Sequence, residues 1–214
     1  MDIDHIFIFT EDQGRIAEEL VKFGLIEGSS RVHTGQGTTN RKFYFDNFFL
    51  EILWVHNENE IKSSLIEPTG LCQRADYKKN GLSPYGLCIV NSEQTDALFG
   101  NSMKYQPDYF PGGMLIEILK NENQPHLPWT FRLSFRGQKK NESEPKNHTN
   151  GIRSLTKVTF NHKPIETEEF LHYFKGQPNI VFSTSNDYGL TLTFDNNQQQ
   201  KKRIFEDLRL TIEY

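Results

Sequence analysis

His5 alternates with Ile3 and Phe7 near the start of the chain, so the three side chains share one face of an extended segment. Glu51 stands inside residues 48–55, an otherwise apolar run. A carboxylate among Phe49, Ile52 and Leu53 is costly to bury unless it faces solvent, a partner charge or a metal ion. An imidazole and a carboxylate form a ligand set suited to Zn²⁺, Fe²⁺, Ni²⁺, Mn²⁺ or Co²⁺. Alternation that turns Glu51 outward and leaves His5 capping backbone accounts for the same residues without an ion. Glu117, in Leu115-Ile-Glu-Ile118, repeats the pattern of a carboxylate in an apolar strand. His33 leads the stretch His33-Thr-Gly-Gln-Gly-Thr-Thr-Asn-Arg41, where Gly35 and Gly37 permit close approach of backbone to a ligand. Asn40 and Arg41 end that stretch as candidate substrate-binding donors, a guanidinium gripping a carboxylate or phosphate bidentately. It is neither a Walker A loop nor a dinucleotide-binding fingerprint, and a sharp bend with Arg41 paired to a nearby acid is the plainer alternative.

Nucleophilic catalysis finds little support. Cys72 lies in a loop pattern with no base nearby in sequence, Cys88 reads as a core strand residue, and no G-x-S-x-G elbow occurs.

The elements that must position these groups are legible in outline. Residues 2–9 alternate as a strand, and Ile16, Leu20, Val21 and Phe23 recur at helical spacing before Gly24. Thr10 and Gln13 make a capping-box pattern ahead of that helix. Residues 41–45 and 48–55 read as a hairpin about an Asp46-Asn47 turn, giving the order β-α-β-β-β. The last segment has the same grammar: a strand at 154–160, a helix at 166–174, strands at 180–183 and 190–194, a turn at Asp195-Asn196, and one closing strand at 204–214. Phe45-Asp-Asn47 and Phe194-Asp-Asn196 fall at matching places in the two units, which predicts a repeat. Between them residues 58–150 hold strands near 85–90, 114–119 and 129–135 and end in the polar linker 138–150. The expected division is therefore 1–57, a first βαβββ module; 58–150, a middle β-rich elaboration and linker, with a compressed third β-unit as the other reading of its strands; and 151–214, a second βαβββ-like module.

The chain of 214 residues, with 17 phenylalanines, is long enough to bury a core without disulfides, and two cysteines make no framework. No apolar run approaches the ~20 residues of a membrane span. The amino terminus is acidic and strand-like rather than a signal peptide, so the cytoplasm is the expected compartment. The net charge of −4 argues against nucleic acid. The basic runs Lys139–Lys140 and Lys201–Arg203 lie in polar stretches without interleaved aromatics and read as solvated turns.

Taken together, Asp4-His5, the stretch 33–41, Phe43-Tyr-Phe-Asp-Asn47 and Leu50-Glu-Ile-Leu-Trp-Val55 resemble the glyoxalase-like branch of the vicinal oxygen chelate superfamily. Ser83-Pro-Tyr-Gly86 and His148-Thr-Asn-Gly151 add to the likeness, which covers residues 1–57 well and the rest loosely. It implies an α+β fold of paired βαβββ modules whose curved, mainly antiparallel sheets enclose a cavity. In many members a His and a Glu of each module hold a divalent metal there. By that analogy His5 and Glu51 are ligands, but the strand at 155–160 offers only Thr156 or Lys157 where a second His is expected. His148 is then a substitute metal ligand, Glu51 and Glu117 the catalytic carboxylates, and His33, Asn40 and Arg41 substrate contacts. The expected function is a lyase or isomerase using Zn, Ni, Mn or Fe on a small oxygenated metabolite. The alternative is a metal-free protein that binds or sequesters a small molecule, as monomer or homodimer.

Overall fold

The computed structural model describes residues 1–110, 112–119, 125–138, 141–166 and 168–214. The pair Lys139–Lys140 lies outside them. With 18% helix and 33% strand, the chain is α+β as expected, built from a curled eight-stranded half-barrel and a five-stranded sheet.

The first seven-residue strand, β1 (Ile3–Phe9), is buried along its whole length. After it come α1 (Ala17–Phe23), β2 (Val32–His33), β3 (Thr38–Tyr44) and β4 (Phe49–Val55). β3 and β4 form the predicted hairpin, and β4 returns parallel to β1. Helix α1 ends where expected, with Gly24 at φ 108°, a left-handed conformation that suits glycine. It starts later than the capping-box pattern predicts. The carboxylate of Asp12 accepts the N–H groups of Gly14 and Ile16, making a separate turn, and Ile16 begins the helix without a side-chain cap.

Three short helices, α2 (Glu58–Ile61), α3 (Leu71–Ala75) and α4 (Tyr77–Asn80), lead to β5 (Tyr85–Ile89). Then follow α5 (Glu93–Asp96), β6 (Met103–Tyr105), β7 (Ile116–Ile118) and β8 (Trp129–Leu133). The eight-stranded order is β2-β3-β4-β1-β5-β8-β7-β6, in which β5 lies antiparallel to β1 and β8 parallel to β5. Residues 85–133 thus repeat the strand order of residues 3–55 within the same sheet. Gly86 makes the central pairing close: a Cβ there would lie 2.0 Å from the ring of Phe7.

Residues 151–214 form the other sheet, from β9 (Leu155–His162), α6 (Glu169–His172), β10 (Ile180–Thr184), β11 (Gly189–Phe194), β12 (Lys202–Phe205) and β13 (Leu210–Glu213). Its order, β10-β9-β11-β13-β12, differs from that of the half-barrel. The single closing strand expected at 204–214 is two strands, because Glu206–Leu208 makes a 3₁₀ turn and Arg209 takes φ 48°. Around the concave side the strands that continue the sheet of β1 come from 85–133, as the compressed-unit reading of the middle has it, and residues 151–214 pack behind it.

Alternation along β1 separates two cores. Ile6 and Ile8 join Leu50, Ile52, Leu87 and Ile89, which meet Val158, Phe160, Leu190 and Leu192 of the five-stranded sheet. Phe7 and Phe9 turn the other way and join Trp129, Phe131, Ile116 and Ile118. The paired turns meet as well: Phe45 and Phe194 pack with ring centroids 4.6 Å apart, and the Asn47 side chain both donates to and accepts from the backbone of Leu155. Among the described residues no helix is long and apolar enough to cross a membrane.

Candidate functional site

The concave face of the half-barrel holds a cavity of about 310 Å³. One wall is polar and comes from the first half of the sheet: His5 on β1, His33 on β2, Asn40 and Lys42 on β3, and Glu51 on β4. The other wall is apolar and comes from the second half: Ile116 on β7, Trp129, Phe131 and Leu133 on β8, with Phe110 and Met114 beside them.

Glu51 is the centre of the polar wall. It is 5% exposed although it carries a carboxylate. The Asn40 amide donates to its Oε1. His5 Nε2 lies 4.0 Å from Oε2, and His33 Nε2 lies 3.9 Å from Oε1, so one carboxylate sits between two imidazoles. His5 is held from behind: its Nδ1 bonds Asp4 Oδ1 at 2.6 Å, and its ring stacks on Phe49 with centroids 4.4 Å apart. A carboxylate accepts, so Nδ1 is the donor and Nε2 is the ring nitrogen that faces the cavity. His33 is fixed through Nδ1 to Thr38 Oγ1 at 2.8 Å. Burial pulls the His33 pKa below its ordinary value, the charge of Glu51 opposing that shift in part.

Lys42 stands directly across the strand pair from Glu51. Its Nζ lies 5.3 Å from the Tyr44 ring and 5.8 Å from the Phe49 ring, an arrangement that holds a cation over aromatic faces at the cavity. Arg31, exposed, adds a second positive group to the lining.

Three sequence candidates sit elsewhere. Arg41 is on the opposite face of β3, where its guanidinium pairs with Glu27 at 2.5 Å and Glu18 at 2.7 Å; these bonds raise its pKa. The plainer alternative, an arginine paired to a nearby acid, is what the structure has. Glu117 likewise faces away from the cavity, because its neighbours Ile116 and Ile118 occupy the inner face of β7, and it bonds Arg132 Nε at 2.5 Å. His148 is 6% exposed and lies between the two sheets. Its Nδ1 accepts the Ile26 N–H at 2.9 Å and its Nε2 donates to the Tyr44 carbonyl at 3.0 Å, which leaves no ring nitrogen for a metal.

The donor set bears on whether a divalent ion fits. Two ligands of a tetrahedral ion at about 2.0–2.2 Å stand about 3.3–3.6 Å apart, and His5 Nε2 and Glu51 Oε2, 4.0 Å apart, lie slightly beyond that spacing. The carboxylate behind His5 has the form of the groups that orient metal-bound imidazoles. The second half of the sheet adds Cys88 rather than a His–Glu pair. Asp4, His5 and Cys88 bring one ligand atom each to within 4.8 Å of one another, all buried. Burial pushes the Cys88 thiol well above its ordinary pKa, so it is neutral without an ion. His5 and Glu51 are thus the pair that would hold a divalent ion at this wall, with Cys88 close to His5.

Sequence reasoning missed Asp4 as the partner of His5, Lys42 as a cavity cation and Cys88 as a neighbour of His5. Strand alternation signals Lys42, which follows Asn40 by two residues on the same face. The contact of Cys88 with β1 depends on pairing between distant strands and has no local signal.

A family model described as a glyoxalase-like domain matches residues 3–173, and the chain belongs to that family, within the vicinal oxygen chelate superfamily. Among solved structures, a hypothetical protein from Staphylococcus aureus is similar over 99% of this chain and 98% of its own, with a TM-score of 0.59 and 12% identity. A protein described as a xylose isomerase-like TIM barrel/4-hydroxyphenylpyruvate dioxygenase fusion matches 96% of this chain through 37% of its own length, with a TM-score of 0.50 and 10% identity. At these identities the likeness is one of fold. The sequence has no significant match among curated proteins.

Proposed function

We propose that the protein binds a small oxygenated metabolite in the concave cavity and acts on it as a lyase or isomerase, with a divalent ion (Zn²⁺, Ni²⁺, Mn²⁺ or Fe²⁺) held by His5 and Glu51. Residues 1–57 and 85–133 are the two halves that enclose the substrate, so the cavity needs no second copy of the chain. The observation that carries this reading is the burial of Glu51 at the cavity wall between His5 and His33. When bound by His5 and Glu51, such an ion would supply Lewis acidity for a carbonyl or enediolate oxygen of the substrate. Asp4 fixes the His5 ring so that Nε2 points at the substrate space. Asn40 donates to Glu51 Oε1 and leaves Oε2, the oxygen nearer His5, to hold the ion. Lys42 and Arg31 draw an electron-rich substrate to the polar wall, and Trp129 and Phe131 exclude water from the other side.

Metal content of the purified protein, measured by mass spectrometry alongside His5→Ala and Glu51→Gln, tests the reading. About one divalent ion per chain, lost in both variants, is the expected result. Failure to retain any of the four ions after reconstitution overturns it. The alternative is a metal-free protein that sequesters its ligand, and one observation favours it: the Asn40 amide already satisfies the buried carboxylate. Ligand binding that survives chelation and both substitutions is the result expected of that alternative.

A further inference from the structure

Behind the apolar wall lies a second cavity, of about 550 Å³, which shares only Trp129 with the first. Arg74 of α3 lines it and is 5% exposed. Its Nη1 donates to the carbonyls of Ser83 at 2.7 Å and Leu127 at 2.8 Å, while Nε has no partner among the described residues. No carboxylate of the described residues pairs with it. Burial brings the guanidinium down to about 10, so it remains a cation at neutral pH. A buried cation held by carbonyl dipoles alone is costly unless a counter-charge completes it.

The rest of the lining decides what that counter-charge is attached to. Met103, Ile118, Leu82 and the Trp129 indole make the cavity mainly apolar, Thr69 and Gly70 add polar backbone, and Glu67 stands exposed on its edge. No second cation among the described residues lines it. One positive charge in an apolar setting matches a monoanion and not a phosphate dianion.

We propose that this cavity is a binding site for a small carboxylate with an apolar body, the carboxylate meeting Arg74 and the body lying against Trp129 and Ile118. The site is distinct from the His5–Glu51 cavity and reaches it in two ways. Trp129 is a wall of both, and α3 carries Leu71 into the first cavity and Arg74 into the second.

Trp129 also provides the readout. Its indole Nε1 donates to the Thr69 carbonyl at 2.8 Å, on the cavity lining, and the chain has one other tryptophan, Trp54, so Trp54→Phe assigns the indole resonance. The ¹⁵N-labelled protein is titrated at neutral pH with benzoate, its neutral isostere benzamide, and inorganic phosphate. Benzoate is expected to shift the Trp129 indole and the Thr69 and Gly70 amides saturably, about ten-fold or more tighter than benzamide, as a charged hydrogen bond predicts. Arg74→Gln is expected to remove that preference. Equal binding of benzoate and benzamide overturns the proposal, as do no shift with any of the three, tighter binding of phosphate, or shifts centred on His5 and Glu51. The wild-type comparison is decisive even if Arg74→Gln fails to fold.

Discussion

The two histidines expected as metal ligands, His5 and His148, have opposite uses, and hydrogen bonding separates them. His5 turns one nitrogen to Asp4 and presents the other to the cavity, whereas His148 gives both nitrogens to backbone groups. His148→Ala leaves the Ile26 N–H and the Tyr44 carbonyl without partners, and each such loss costs about 1–3 kcal/mol. The variant is expected to lose about 2–4 kcal/mol in urea unfolding while metal content and ligand affinity stay at wild-type levels. A loss of bound metal without a loss of stability would return His148 to the site. Strand periodicity made part of this legible. Asn40 and Arg41 are adjacent on one strand, so only one of them can face the cavity, and Glu27 and Glu18 settle which. The docking of His148 between sheets depends on contacts more than a hundred residues apart, and no local pattern reports them.

Long, strongly alternating strands were the most legible elements. β1, β4 and the Asp46-Asn47 hairpin lie where the pattern predicts them, because buried faces on both sides leave each strand a single register. β7 lies within the strand expected at 114–119, whereas β6 has three residues, too few for a period to show, and without it the order that makes 85–133 the second half of the half-barrel was incomplete. β5 depends on a missing side chain, since Gly86 is the hole into which the Phe7 ring fits. Gly86→Ala is therefore expected to destabilise the fold by about 1–3 kcal/mol through overpacking. Because Phe7 lines the cavity, ligand affinity is expected to fall as well. Phe7→Leu trims the ring that the new methyl group meets, so the double variant is expected to be more stable than the sum of the two single losses. Simple additivity in urea midpoints would mean that the β1–β5 approach is not set by this contact.

At the scale of the whole molecule, the two sheets are joined by a core whose composition was predictable and whose partnership was not. Alternation says that a face is buried, but not against which sheet, and the repeat of Phe45 and Phe194 marks a contact between sheets rather than a shared cavity. The same junction carries a pH dependence. Burial holds the pKa of His148 below its ordinary 6.5, and burial lowers that of His126, which bonds Tyr188 at 2.5 Å between the half-barrel and the five-stranded sheet. In the unfolded chain both imidazoles take up protons near pH 6.5, while the folded protein resists until the pH is lower. The unfolded state then binds more protons, so folding stability is complete above pH 6.5 and falls as the pH drops below it. The slope is up to about 1.4 kcal/mol per pH unit for the buried His148 and less for the partly exposed His126, with a further share from His33 at the cavity, whose pKa burial also lowers. Asp96 and Asp187, whose pKa values are lowered (in Asp96 chiefly by hydrogen bonds from Arg136 and Arg132, in Asp187 by a backbone N–H and Arg209), act only at more acidic pH, below the ordinary carboxylate range. Urea midpoints taken between pH 8 and 5.5 are expected to be level above 7 and to decline below 6.5. His148→Gln, which keeps a donor and an acceptor but does not titrate, is expected to flatten that decline by about one proton. A midpoint that holds or rises between pH 7 and 5.5 would show that His148 is not held neutral where the sheets meet.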